Sequence, residues 1–241
     1  MTLRLMTYNV HRCVGVDKKL DIARVAAVIA AMKPDVVALQ ELDVGRRRTG
    51  GVDQAHELAD KLGMRRHFNA AMHVEEEQYG DAILTALPEK LVRAGALPHY
   101  RRVPGNEPRG AVWITVEKDG VEVQVINTHL GLVPQEQKKQ AAALIGDWMT
   151  HPKWTGPCVL LGDFNATPFS ATYRMLAAVL RDAQVDRKEA PTATFPSGFP
   201  FLRIDHVFLA GDVTVSKIES PYDARARKAS DHLPLVVELE L

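Results

Sequence analysis

The sequence has no net charge. Thirty lysines and arginines are matched by thirty aspartates and glutamates over 241 residues. No global positive field therefore draws the molecule toward long nucleic acid or an anionic membrane, though a local basic patch is compatible with this balance. Cysteine is nearly absent. Cys13 and Cys158 each lie in or beside an apolar strand. They read as small core residues in a reducing compartment, not as a disulfide framework. No apolar run approaches the ~20 residues of a membrane-spanning helix. The N-terminal MTLRLMTYNV alternates like a strand and lacks the charged-then-apolar design of a signal peptide. A soluble cytoplasmic protein is expected. Four motifs are missing: G-x-S-x-G, C-x-x-C, H-E-x-x-H and G-x-x-x-x-G-K-[ST]. Their absence leaves no support for a serine nucleophile elbow, a redox pair, a zincin-type site or a triphosphate cradle. No repeat, low-complexity tract or linker interrupts the chain. One domain over residues 1–241 is expected.

What is present is a series of apolar strands that end in polar groups. Residues 3–8 alternate and stop at Asn9. Residues 36–39 are fully apolar and stop at Gln40 and Glu41. A strand, an Asp119-Gly120 hairpin turn and a second strand end at Asn127, Thr128 and His129. Val159, Leu160 and Leu161 run into Gly162, Asp163, Phe164 and Asn165. If the chain stays extended, Asp163 and Asn165 point the same way. Residues 204–209 form a strand interrupted by Asp205 and His206, and Ser230, Asp231 and His232 precede the apolar C-terminal strand.

Between these strands the spacing predicts helices over 20–32, 53–62, 134–149 and about 170–180. The third turns Ala141, Leu144, Ile145 and Trp148 inward, with its Gln and Lys residues outward. Residues 187–201 read as a long loop over a site mouth. Strands come both as hairpins and as βα pairs. The fold expected is α/β (α+β): two packed mixed sheets flanked by helices, a four-layered sandwich.

Strand ends of one core converge, so these polar groups can share a cleft. Hard divalent cations such as Mg²⁺ need oxygen ligands, and Glu41, Asp231 and the amide of Asn9 can supply them. Histidines beside carboxylates suit phosphate ester hydrolysis, because an acid can orient an imidazole that carries a proton. Asp205 within an apolar strand is hard to explain structurally, since an unpaired buried carboxylate costs several kcal/mol. His206 should face the other side of that strand and reads as structural. Arg109 divides between a surface salt bridge and a substrate contact. The arginines at 46–48 read as a solvated loop before a phosphate patch. His11 and Tyr79 are candidates to line the cleft.

Six short motifs occur in a telling order: TYN near the start, LQE at 39–41, THL at 128–130, GDFN at 162–165, IDH at 204–206 and SDH at 230–232. In this order the chain resembles the endonuclease/exonuclease/phosphatase superfamily, the relatives of deoxyribonuclease I. YGDAIL and PRGAVW look most like a bacterial branch of short, stand-alone members. The resemblance implies a DNase I-like sandwich and Mg²⁺ or Mn²⁺ dependence. It implies Glu41 as the principal metal ligand with Asn9 beside it, and Asp231 as a direct or water-mediated ligand. It further implies that Asp163 and Asn165 orient the attacking water and the phosphate. The resemblance implies likewise that His232 contacts the scissile phosphate and is oriented by Asp205, and that His129 stabilises phosphoryl charge or assists the leaving group. Arg109 stands where a guanidinium can grip an anionic substrate group. The chain departs from family patterns at His11, where relatives that repair abasic sites carry an acid, and at Asp81, where relatives often have Asn. The expected activity is water-driven cleavage of a small or lipid-derived phosphodiester by a monomer. A nuclease or DNA-repair enzyme is the alternative, and a catalytically silent binding module a further one.

Overall fold

The computed structural model describes residues 1–100, 105–150, 156–186 and 192–241. The strands in chain order are β1 (Thr2–Asn9), β2 (Val36–Val44), β3 (Arg65–Val74), β4 (Glu77–Thr85), β5 (Glu89–Ala96) and β6 (Gly110–Lys118). They continue as β7 (Val121–His129), β8 (Cys158–Asp163), β9 (Arg181–Asp182), β10 (Asp205–Ala210), β11 (Thr214–Glu219) and β12 (Leu235–Glu240). The helices are α1 (Ile22–Met32), α2 (Gln54–Leu62), α3 (Pro134–Ala143), α4 (Ala171–Ala177) and α5 (Ala224–Ala229). A π-helical turn, Leu144–Trp148, extends α3.

The strands form two six-stranded sheets, ordered β11-β12-β1-β2-β4-β3 and β5-β6-β7-β8-β10-β9. β1 pairs parallel with β2, and β7 with β8, among otherwise antiparallel neighbours. Both sheets are therefore mixed, as expected. Strand alternation sorts the side chains into layers. Leu3 and Leu5 of β1 meet Val112, Val125 and Leu161 of the other sheet in a central core. Met6 and Tyr8 point the opposite way, into a layer with Val25, Ile29 and Leu58 of the helices. On the far face of the second sheet, Trp113 and Leu160 pack with Leu144, Trp148 and Leu176. Each such aliphatic side chain contributes about 1.5–3 kcal/mol by leaving water. No helix among the described residues is long and apolar enough to cross a membrane.

The helix limits follow local chemistry. Asp21, Asp53, Ser170 and Asp223 cap α1, α2, α4 and α5, and Gly63 ends α2 in the left-handed region. α5 and the two-residue β9 carry too little periodicity to be read from sequence. Residues 187–191 of the expected loop lie outside the described residues. The remainder closes a tight loop through a bridge between Phe195 and Leu202.

The polar face of α3 departs from expectation. Gln137 and Gln140 are buried, as is Glu136, although the lysines beside them are exposed. They bind loops instead of water. Gln140 accepts from Gly131 N–H (2.9 Å) and donates to Pro98 O (3.0 Å). Gln137 donates to Gly131 O (2.8 Å) and Asn165 O (2.9 Å). Glu136 accepts from Tyr100 N–H (2.6 Å) and Asn106 Nδ2 (2.7 Å). Three loops that border one end of the sandwich are thereby clamped to one helix. Gln140→Leu is expected to orphan the Gly131 N–H and the Pro98 carbonyl, costing about 1–3 kcal/mol in a denaturant titration.

Candidate active site

The strand ends converge as expected, and two local devices aim them. The first is a bulge in β2. Its register with β4 shifts between Leu39 and Leu42, and Glu41 adopts φ +62°. β2 therefore does not stop at Glu41 but continues to Val44, and the bulge turns Glu41 out into the cleft. Gln40 turns inward. It donates to Asn127 Oδ1 of the other sheet (2.7 Å), and Asn127 donates back to Leu39 O and Ala82 O. This buried bridge ties the two sheets together, and the sequence gives no sign of it.

The second device is Gly162. A Cβ there would lie 1.8 Å from Thr128 O, so only glycine lets β8 approach β7 this closely. That approach puts His129 in register with Asp163. Beyond Asp163 the chain is not extended. Asn165 takes φ +48°, and its backbone N–H returns to Asp163 Oδ1 (2.9 Å). The expectation that both side chains project in parallel is thus corrected. Asn165 Nδ2 turns toward Leu130 O and His129 Nε2, each 3.0 Å away.

Asp163 is the hub. Its Oδ2 accepts from Asn9 Nδ2 (2.9 Å) and lies 3.6 Å from His129 Nε2 and 3.7 Å from His232 Nε2. The other Asn9 Nδ2 hydrogen reaches Glu41 Oε1 (3.1 Å). Asn9 Oδ1 accepts from His11 N–H (3.0 Å), a backbone donor that fixes which way the amide faces. Here Asn9 is a donor bridging two carboxylates. Its Oδ1 keeps a second lone pair beside the His11 bond, so the oxygen-ligand role inferred from sequence is compatible with this geometry. On the far side, His232 Nδ1 meets Asp205 Oδ2 (2.9 Å), which also accepts from Thr194 Oγ1. Phe195 packs on the His232 ring at 4.8 Å. Asp205 and Asp163 sit opposite each other on β10 and β8.

The two histidines hold different charge. Burial alone would lower His232, but Asp205 and Asp163 overcome it and keep the ring protonated up to about 10. His129 goes the other way. Burial lowers it well below the usual range, and Arg109 and His232 add to this. Its two nitrogens face Asn165 and the Arg109 guanidinium (3.4 Å), both donors, so an imidazolium would set N–H against N–H. His129 is neutral. It holds at most one N–H and carries no charge. Asp163 is raised to about 7, first by burial and then by Asp205.

These groups line one cleft of about 670 Å³, together with Glu41, Asp231, Arg109 and Tyr79. Arg109 is buried. It contacts His129 and Glu107, and one guanidinium nitrogen, Nε, has no protein partner. A surface salt bridge is therefore the lesser part of its setting. Asp231 is partly exposed, with His11 Nδ1 at 3.6 Å. His206 faces away from the site, its Nε2 donating to Ala166 O (2.7 Å) behind the Asn165 turn. Since a carbonyl only accepts, Nε2 carries the hydrogen.

Asp163, Asp205 and His232 bring three ligand-type atoms within 4.8 Å of one another, the spacing of a metal-binding group. A protonated His232 already occupies the place between the two carboxylates. Glu41 and Asp231 border the open cleft, where their hard oxygens suit a divalent cation.

Asp81 stands out in the sequence only as a departure from the family pattern. It is buried, and its carboxylate accepts the Glu41 N–H at the bulge. Burial raises its pKa to about 8, against the pull of Arg109 and the Glu41 N–H. An unfolded aspartate ionises near 3.9. Stability from this position is then full below about pH 4 and is lost as pH rises toward 8. Asp81→Asn is expected to raise the melting temperature by several °C at pH 7 and to give no gain at pH 4 in thermal melts.

The model of the endonuclease/exonuclease/phosphatase family matches residues 6–232. The chain belongs to that family. It is 25% identical over 257 residues to the protein YbhP of Escherichia coli K12, covering all of this chain and 97% of that one. A family member from Beutenbergia cavernae is 26% identical with a TM-score of 0.77, covering all of this chain and 72% of that one. A mannosyl-6-phosphatase of Bacteroides thetaiotaomicron has a TM-score of 0.78 at 20% identity, covering 99% of this chain and 100% of that one. This last likeness is one of fold. The chain is thus a hydrolase of this family, and its two packed mixed sheets flanked by helices are the DNase I-like sandwich.

Proposed function

We propose that this hydrolase cleaves a phosphodiester by attack of water on phosphorus, with a divalent cation, Mg²⁺ or Mn²⁺, held by Glu41 and Asp231. The observation that carries the reading is the setting of Asp163. A carboxylate with a pKa of about 7 lies between a neutral and a protonated histidine, beside Glu41, at the base of a cleft. The cation would supply charge neutralisation at the phosphate. The chain supplies the rest. Asn9 and the Asn165 N–H fix the two oxygens of Asp163, which accepts a proton from the water as its oxygen bonds to phosphorus and the P–O bond to the leaving group breaks. The His232 imidazolium, oriented by Asp205, faces the negative charge that grows on the phosphoryl oxygens. His129 donates one hydrogen bond, and Arg109 grips an anionic part of the substrate.

A nuclease reading asks for a basic face beside the cleft, and residues 46–48 are one candidate for it. Arg46 pairs with Glu77 (3.3 Å) and Arg48 with Asp43 (2.7 Å), so that strip is matched with acid. At that place the charge gives long nucleic acid no advantage over a small or lipid-derived phosphoester. The reading is tested with an aryl phosphodiester and Mg²⁺ in ¹⁸O-labelled water. One solvent oxygen per turnover in the phosphate product supports it. Label in the alcohol alone, or no turnover across a panel of phosphodiesters, overturns it.

A further inference from the structure

Beside the cleft the fold leaves large apolar side chains in solvent. Phe199 is 76% exposed and Phe201 is 65% exposed. Both stand on the loop closed by Phe195 and Leu202, and these two closing residues line the cleft. The loop is firmly held. Ser197 N–H donates to Asp231 O (2.7 Å), Ser197 Oγ bonds Ser230 O (2.7 Å), and the Tyr222 hydroxyl donates to Gly198 O (2.8 Å). The two rings are therefore presented by a fixed geometry and are not the result of fraying.

The same surface continues through α5 to the turn at residues 14–20. Ser197 Oγ also bonds Arg227 O (3.0 Å), and Val16 N–H donates to Lys228 O (3.2 Å). Val16 and Tyr222 add further exposed apolar area. Residues 14–20 and 221–229 carry five cations against two carboxylates, and all five cations are exposed. Both carboxylates are engaged. Asp17 pairs with Arg24 (3.0 Å) and Lys228 (3.4 Å), and Asp223 caps α5 through the N–H groups of Arg225 and Ala226. On a chain with no net charge, this is a local basic surface around projecting aromatic rings.

We propose that this face docks on an anionic phospholipid bilayer. Phe199 and Phe201 enter the interfacial zone, and the cations of α5 and the 14–20 turn meet anionic headgroups. Apolar insertion and cation–headgroup attraction are the two terms that together hold a peripheral protein on a membrane. The pairing of charge and apolar projection fits that surface better than a single nucleic-acid strand. Strand binders lay aromatic rings along a cationic groove so that bases stack on them, whereas these rings project from a loop. The docked face is the one that borders the cleft. This proposal does not depend on the reaction assigned to the cleft, because it is read by binding alone.

The test is sedimentation with vesicles of phosphatidylcholine, with and without an equal share of phosphatidylglycerol. Wild type is expected to sediment with the anionic vesicles and to be released in part by salt. The Phe199→Ser/Phe201→Ser pair should weaken that partition by about tenfold, and the Lys19→Glu/Arg225→Glu pair by a similar factor. Thermal melts of both pairs should match wild type, which separates lost docking from lost folding. Failure of wild type to bind anionic vesicles overturns the proposal, as does undiminished binding by both folded pairs. Binding to a single-stranded oligonucleotide that these substitutions weaken, with no vesicle binding, also overturns it.

Discussion

Glu41→Ala is expected to lower kcat on an aryl phosphodiester by on the order of 10³-fold and to weaken Mg²⁺ binding by on the order of 10²-fold in calorimetry. The size follows from the position of Glu41. The β2 bulge turns it from a core strand into the cleft, and Asn9 couples it to Asp163. Removing it takes away the proposed cation ligand and loosens the amide that holds Asp163. Its effect on folding should be small, because the side chain is only half-buried at the edge of the cleft. Wild-type turnover in the folded variant would show that the cation, if required, is held elsewhere. The Asp163, Asp205 and His232 group would then be the first alternative.

His232→Ala is the second large effect, a loss of about 10²–10³-fold in kcat. The pH profile identifies its role. Asp163 serves as a base only when ionised, so activity should rise as pH passes about 7, and a bound cation should move that limb lower. His232 contributes only while protonated, so activity should fall as pH rises through about 10. His232→Ala should abolish the upper limb. Asp205→Asn should move it to lower pH, because the carboxylate that holds the proton is gone. An unchanged upper limb in Asp205→Asn would remove Asp205 from the orienting role.

The layered fold was legible because strand alternation and helical spacing report burial directly. Leu3, Leu5, Val36 and Ala38 lie in the central core, where an alternating or fully apolar strand puts them. The motif order also located Asp163, Asp205, His129 and His232, which the structure brings together. What escaped was geometry made by contacts distant in sequence. Gln137 and Gln140 look like solvated helix residues until the loops they clamp are in place. Gln40 and Asn127 look like strand-end polar residues, yet each satisfies the other across the two sheets. The left-handed turn at Asn165 has the same origin. It is fixed by Leu130 O and His129, which lie 35 and 36 residues earlier in the chain. The neutral state of His129 could not be read either, since it depends on two donors from different elements.

The central claim is that the Asp163 cleft hydrolyses phosphodiesters with the help of a divalent cation. Its most direct test is the initial rate of wild-type protein on an aryl phosphodiester, first after exhaustive chelation and then during stepwise return of Mg²⁺ or Mn²⁺. The expected result is a background rate in chelator and saturable recovery with added cation. An equal rate in chelator and in cation, or no hydrolysis under either condition, would contradict the claim.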